Sequence, residues 1–211
     1  MTGSRRAVLA LGLALPTPLL LAACGGRRPT GAAAPAPPPA AGTLVPTPAC
    51  ADDDDPTPAQ TEGPYFKRSS PERASLLETG LAGTRLVLTG TVLSTDCRPV
   101  ARALLDFWQA DDRGQYDNTG FRLRGHQFTD GQGRFRLETI VPGLYPGRTR
   151  HLHVKVQAPG RPVLTTQLYF PGEAGNARDG IFDARLLLDA PRASGAGEGR
   201  TATFDFVLDL G

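Results

Sequence analysis

The chain has 211 residues, 40% of them hydrophobic and 21% charged, which suits one globular core and excludes a chain disordered throughout. Its formal charge of +2 comes from Arg5 and Arg6; without them 21 basic residues face 21 acidic ones. That balance lacks the basic footprint of a nucleic-acid-binding protein.

The N-terminal 24 residues read as an export signal. Ser4-Arg5-Arg6 precedes an apolar run from Ala7 to Leu21 that is too short to span a bilayer and is interrupted by Pro16 and Pro18. The paired arginines resemble a twin-arginine signal, and Leu21-Ala22-Ala23-Cys24 resembles a bacterial lipobox. Cys24 would then carry lipid and hold the protein at a membrane outside the cytoplasm, in the cell envelope; an ordinary cleaved signal with a chance cysteine is the alternative. Residues 25–56, rich in Pro and Ala and ending in Asp52 to Asp55, have little to bury and read as an extended, disordered tether. Residues 57–211 then form a single domain. With Cys24 lipidated, Cys50 and Cys97 remain in a compartment where disulfides persist. A bridge between them would close a loop of about 48 residues and stabilise by about 4 kcal/mol on the chain-entropy model; two free thiols are the other possibility.

Within the domain the periodicity is that of strands. Thr84 to Thr95 carries Leu86, Leu88 and Val92 at even spacing, with Gly90 as a bend. Ala103 to Gln109 is a short central strand, Gly133 to Ile140 follows a turn, and Val163 to Phe170 is rich in β-branched and aromatic residues. Thr201 to Asp209 alternates through Ala202, Phe204, Phe206 and Leu208. Short helices are expected only over Pro71–Glu78 and Asp183–Leu188. Many short strands at this spacing predict an all-β sandwich.

The strand His151 to Gln157 places Leu152, Val154 and Val156 on one face and His151, His153 and Lys155 on the other. Residues two apart on a strand stand about 7 Å apart on the same side, within reach of one metal ion. Two surface histidines are the ordinary explanation of such a pair. Against it, the chain has three histidines in all, and the preceding loop presents Tyr145 between Pro and Gly residues. His126, the third, reads as a surface residue.

These segments, in this order, resemble the intradiol ring-cleavage dioxygenases, the family of catechol and protocatechuate 3,4-dioxygenases. The resemblance runs from Thr57-Pro-Ala-Gln-Thr-Glu-Gly-Pro-Tyr65 through Gly90-Thr-Val-Leu, Arg98-Pro-Val-Ala-Arg-Ala-Leu-Leu-Asp-Phe-Trp-Gln-Ala110, Asp112-Arg-Gly-Gln-Tyr116, Thr129-Asp130, Thr139-Ile-Val-Pro-Gly-Leu-Tyr145 and Arg148-Thr-Arg-His-Leu-His153 to Leu164-Thr-Thr-Gln-Leu-Tyr-Phe170. It implies a β-sandwich and one Fe(III) per chain held by Tyr116, Tyr145, His151 and His153. Phenolates suit the hard ferric ion, and imidazoles serve as neutral donors. It further implies that a catechol binds the iron, that Tyr145 yields its place and acts as a base, and that dioxygen attacks the substrate. The ring then opens between the two hydroxyl-bearing carbons to give a cis,cis-muconate-type diacid. Arg148 would stabilise anionic charge on the ring, with Arg150 as a rival, while Gln167 and Tyr65 would border the substrate. One departure is the shorter stretch between Tyr145 and His151, which should reshape the pocket. Two other readings stand beside the enzyme: a secreted aromatic- or metal-binding sandwich without turnover, and a copper or zinc protein using the two histidines. The sequence leaves the oligomeric state open.

Overall fold

The computed structural model describes residues 55–193 and 199–211. The export signal with Cys24, the tether through Cys50, and the Asp52–Asp54 acidic residues lie outside the described residues. Among the described residues nine strands follow one another: β1 (Arg85–Ser94), β2 (Leu104–Trp108), β3 (Arg124–Phe128), β4 (Arg134–Ile140) and β5 (His151–Gln157). They continue as β6 (Leu164–Tyr169), β7 (Asp189–Ala193), β8 (Arg200–Thr203) and β9 (Phe206–Leu208). Among the described residues the one helical turn is a 3-10 turn over Ala184–Leu186, inside the second stretch expected to be helical.

The strands form two sheets. One has the order β4-β1-β8-β7 with β9 also paired to β1, and the other the order β3-β2-β5-β6. Alternation then fills the space between them. Leu86, Leu88 and Leu137 from the first sheet belong to one buried cluster with Leu105, Phe107, Leu152, Val154 and Val156 from the second. Each such side chain contributes about 1.5–3 kcal/mol on leaving water. The predicted all-β sandwich is what the chain forms.

Three local expectations need correction. Pro71–Glu78 is extended rather than helical. Its main chain bonds to β3 (Arg73 N to His126 O, 2.8 Å) and to β4 (Leu76 N to Glu138 O, 2.8 Å), which leaves none of those donors for a helix. Leu76, fully buried, fixes the segment there. The expected strand Thr201–Asp209 is two strands, broken where the Asp205 carboxylate accepts the Thr91 N–H at 2.6 Å. The Phe204 carbonyl lies against Gly90 at the same break, where any Cβ would collide with it. Finally, β3 and β7 are strands that periodicity did not reveal. Cys97, in the turn after β1, is disulfide-bonded.

Candidate metal centre

The second sheet has a core face and an outer face. Cross-strand register puts four outer-face residues in one row: Arg124 on β3, Trp108 on β2, His153 on β5 and Gln167 on β6. A row further along, His151 pairs with Tyr169. In an exposed sheet these would be wet, yet His151 and His153 are only 5% and 3% exposed. The leading segment covers them: Gln60 N donates to Thr165 O at 2.8 Å, and Gly63 lies against the His153 ring.

Two loops bring tyrosines to the histidines. Tyr145-Pro146-Gly147-Arg148 is a type II turn, closed by Arg148 N to Tyr145 O at 3.0 Å, with Pro second and Gly147 third at φ 79°. The Tyr116 loop packs directly onto it. A Cβ on Gly114 would stand 2.1 Å from the Leu144 carbonyl oxygen, so no other residue fits that approach. Tyr116 Oη lies 3.3 Å from His151 Nε2, and Tyr145 Oη lies 2.9 Å from Tyr65 Oη. The Tyr65 and Tyr116 rings stack at 4.4 Å, and those of His151 and His153 meet edge-on at 4.8 Å.

Hydrogen bonding fixes the tautomer of His151. Its Nδ1 is 2.7 Å from the Thr149 carbonyl, which can only accept, so Nδ1 carries the proton and Nε2 keeps a lone pair facing Tyr116. Burial, chiefly, lowers the His151 pKa to about 4, so the ring is neutral at physiological pH. His153 is lowered by burial too, and then by the neighbouring His151. Its Nδ1 is buried without a partner among the described residues, so the Trp108 indole stacked on the ring at 4.8 Å holds its orientation. Burial raises the Tyr116 phenol above its usual range, against the pull of the Arg148 and Arg124 charges. Tyr65 is raised first by its hydrogen bond to Tyr145. Among the described residues no three His, Cys, Asp or Glu groups cluster, so the oxygen donors here are phenols. Two phenols and two neutral imidazoles converging from two loops and one strand fit a hard trivalent ion such as Fe(III).

The remaining expected residues surround this quartet. Arg148 donates from Nε to Asp179 at 2.8 Å and from Nη2 to Gln167 Oε1 at 2.7 Å. Asp179, 2% exposed on its side chain, also accepts the Thr149 N–H and stays ionised below the usual carboxylate range despite burial. Gln167 is fully buried, and its Nε2 donates to Thr61 O at 2.9 Å. Its carbonyl end is engaged by Arg148 and Tyr169, so it braces the arginine from inside the sheet. Burial pushes the Tyr169 phenol up to about 12, and its hydroxyl lies among Gln60, Gln167 and Ile181. Arg150, the rival to Arg148, is tied instead to Glu173 and to the Pro142 carbonyl. His126 is half-buried rather than on the surface: its Nδ1 meets Ser70 Oγ at 3.1 Å, and Ser70 donates to Asp106 at 2.7 Å. Sequence reasoning named neither Trp108 as the partner of His153 nor Arg124 and Asp179. The Trp108 role was available from the pairing of two strands it did identify.

A β-sandwich with a mixed tyrosine–histidine centre on the outer face of one sheet is thus the class of protein in hand. Residues 61–210 match the Dioxygenase family (Dioxygenase_C), and the chain belongs to that family. The hydroxyquinol 1,2-dioxygenase of Nocardioides simplex is 32% identical over 155 residues, 62% of this chain and 53% of its own length. The catechol 1,2-dioxygenase of Acinetobacter baylyi is 29% identical over 190 residues, 73% of this chain and 61% of its own. The chain therefore spans little more than half the length of these curated relatives. Among solved structures, the dioxygenase domain of a dioxygenase carbohydrate-binding protein fusion from Streptomyces sp. SirexAA-E is 60% identical with a TM-score of 0.70, covering 74% of this chain and all of that one. The 3-chlorocatechol 1,2-dioxygenase of Rhodococcus opacus 1CP is 30% identical with a TM-score of 0.67, covering 73% of each chain.

Proposed function

We propose that this chain is an iron(III)-dependent intradiol dioxygenase that opens catechol-type aromatic diols between the hydroxyl-bearing carbons, using dioxygen, to cis,cis-muconate-type diacids. The observation that carries this reading is the Tyr116 hydroxyl 3.3 Å from Nε2 of the neutral His151, with the Tyr145 ring 5.9 Å from that of Tyr116. Bound there, ferric iron would supply a Lewis acid that favours loss of both catechol protons, giving the catecholate that reacts with dioxygen.

The chain's own residues divide the remaining work. His151 and His153, buried and held by Thr149 O and Trp108, form the rigid half of the centre. Tyr145 sits on a surface turn beside Leu144, 54% exposed, and is the ligand best placed to move and to take a proton from the substrate hydroxyl. Tyr65 Oη stands 2.9 Å away, ready to share that proton. Arg148, locked by Asp179 and Gln167, presents a fixed positive charge where anionic character develops on the ring, and needs no reorganisation to do so.

A visible spectrum of the purified domain, with iron quantified in the same sample, tests the reading. The expected result is about one iron per chain and a broad tyrosinate-to-iron absorption band that shifts on adding catechol. A protein that stays colourless after anaerobic iron loading and air oxidation would instead be a binding module on this fold.

We further propose export and anchoring through lipid on Cys24, on the strength of the lipobox-like run. Among the described residues no helix is long and apolar enough to cross a membrane. Cys24→Ser is expected to release the protein from the membrane fraction; undiminished membrane association would exclude the lipid anchor.

A further inference from the structure

Arg124 is 1% exposed, yet each of its three hydrogen bonds goes to a main-chain carbonyl. Nε and Nη2 converge on Asp117 O at 3.1 and 2.9 Å, and Nη1 reaches Tyr65 O at 2.5 Å. A buried cation whose hydrogen bonds all go to carbonyl dipoles, with the Asp117 and Asp106 carboxylates acting on it only through space, is a costly arrangement, and an apolar side chain of like size would fill the space at less cost. What arginine adds is its planar fork, which holds several acceptors in one fixed geometry. Here the two acceptors belong to the segments that carry Tyr65 and Tyr116, whose rings stack within 12° of parallel.

A second observation points to the same residue. Leu123, immediately before it, adopts φ 55°, a left-handed conformation uncommon outside glycine. Its carbonyl accepts Gln109 N at 3.2 Å, which keeps it there. Such conformations persist where the surroundings over-determine them, and they gather at functional sites. The loop beyond Tyr116 is also wound tightly: the Asp117 carboxylate accepts the N–H groups of Thr119, Gly120 and Arg122. Lys67 Nζ donates to Thr119 O and Gly120 O, and Arg73 Nε to Arg124 O. Of these cations Arg124 is the one that bonds to the main chain of Tyr65 itself and of the residue following Tyr116.

We infer that Arg124 is a positioning residue for the metal centre, setting the Tyr65–Tyr116 stack, and with it the Tyr116 oxygen, through a fork onto two carbonyls. This rests on the reading of the centre given above, so its test begins without metal. Near-ultraviolet circular dichroism of the metal-free protein reports the stacked tyrosines, and Tyr116→Phe identifies their share of the signal. In Arg124→Lys the ammonium keeps the charge but cannot hold both carbonyls in the fork geometry. That variant is expected to lose at least about half of the tyrosine signal at an unchanged far-ultraviolet spectrum. After iron loading, its affinity should fall about 10- to 100-fold and its absorption maximum should move. A folded Arg124→Lys with the parent's near-ultraviolet signal and band would overturn the inference. If that variant does not fold, the parent decides: the Arg124 Nε–H should exchange slowly and couple across its hydrogen bond to the Asp117 carbonyl, and a rapidly exchanging Nε–H would overturn it. Should the parent itself take up no coloured iron, the reading of the centre fails, while the metal-free comparison still decides the role of Arg124.

Discussion

Replacing Tyr116 and Tyr145 together by phenylalanine is expected to abolish the visible absorption band and to reduce catechol cleavage by about a thousandfold or more. The magnitude follows from what is removed. A metal ion contributes several kcal/mol to stabilising charge in a reaction of this kind, and each 1.36 kcal/mol is a factor of ten in rate. Both oxygen donors of the quartet would be gone, leaving two imidazoles that bind a hard trivalent ion poorly. The fold should survive, because what holds these rings is carbon contact. Tyr116 stacks on Tyr65, Tyr145 meets Tyr65 edge-on at 5.6 Å, and each substitution deletes one hydroxyl from a half-buried ring. Stopped assays, absorption spectra and melting curves on parent and double variant are the measurements. Cleavage that persisted in a folded, colourless double variant would mean that neither phenol takes part. The single variants should then divide the effect unequally. Tyr116→Phe removes the oxygen beside His151, whereas Tyr145→Phe removes the proposed base along with the partner of Tyr65.

Much of this centre was readable before any coordinates. The alternation of β5 fixed the side on which His151 and His153 stand, and Pro146-Gly147 announced the turn that presents Tyr145. What the sequence hid has physical causes. The core-facing positions of β3 are Gly125 and Gln127 rather than apolar residues, so its period-two signal is absent, and Arg124 went unnoticed with it. A Cβ at Gly125 would crowd the side chains of Arg73 and Leu76, which favours glycine there. β7 contains Pro191, which ordinarily argues against a strand, though an edge position tolerates it. Pro71–Glu78 has spacing compatible with a helix, but its backbone donors are taken by the edges of both sheets. The histidines looked like surface residues because sequence gives alternation on a sheet, whereas burial of the outer face depends on a leading segment about 90 residues away. Asp179 lies in a loop after β6, where no local pattern marks a carboxylate that will meet Arg148.

The same buried histidines predict how the metal-free protein responds to acid. His151 has a native pKa of about 4 against an ordinary value near 6.5, because the folded state hides the imidazole from water. The unfolded chain therefore binds this proton first. Stability is fully present above about pH 6.5 and is lost as the pH falls toward 4, by an amount approaching about 3 kcal/mol for this residue. His153 shifts in the same direction and deepens the loss. Asp106 works the other way over part of this window. Burial raises it despite its bond to Ser70, so protonation there favours the native state as the pH falls. Asp179 has its pKa lowered, and the stability it contributes is lost only further down, below the ordinary carboxylate range near 4. The histidines should dominate, since two of them oppose one aspartate. Urea unfolding of chelator-treated protein at pH 7.0, 5.5 and 4.5 is the measurement, with a steady fall in midpoint expected. An unchanged midpoint would show that these rings are not held neutral and buried. Iron should sharpen the dependence. Binding through the Tyr116 oxygen must expel a phenol proton that burial retains at neutral pH, so affinity should weaken at least tenfold for each unit of acidification.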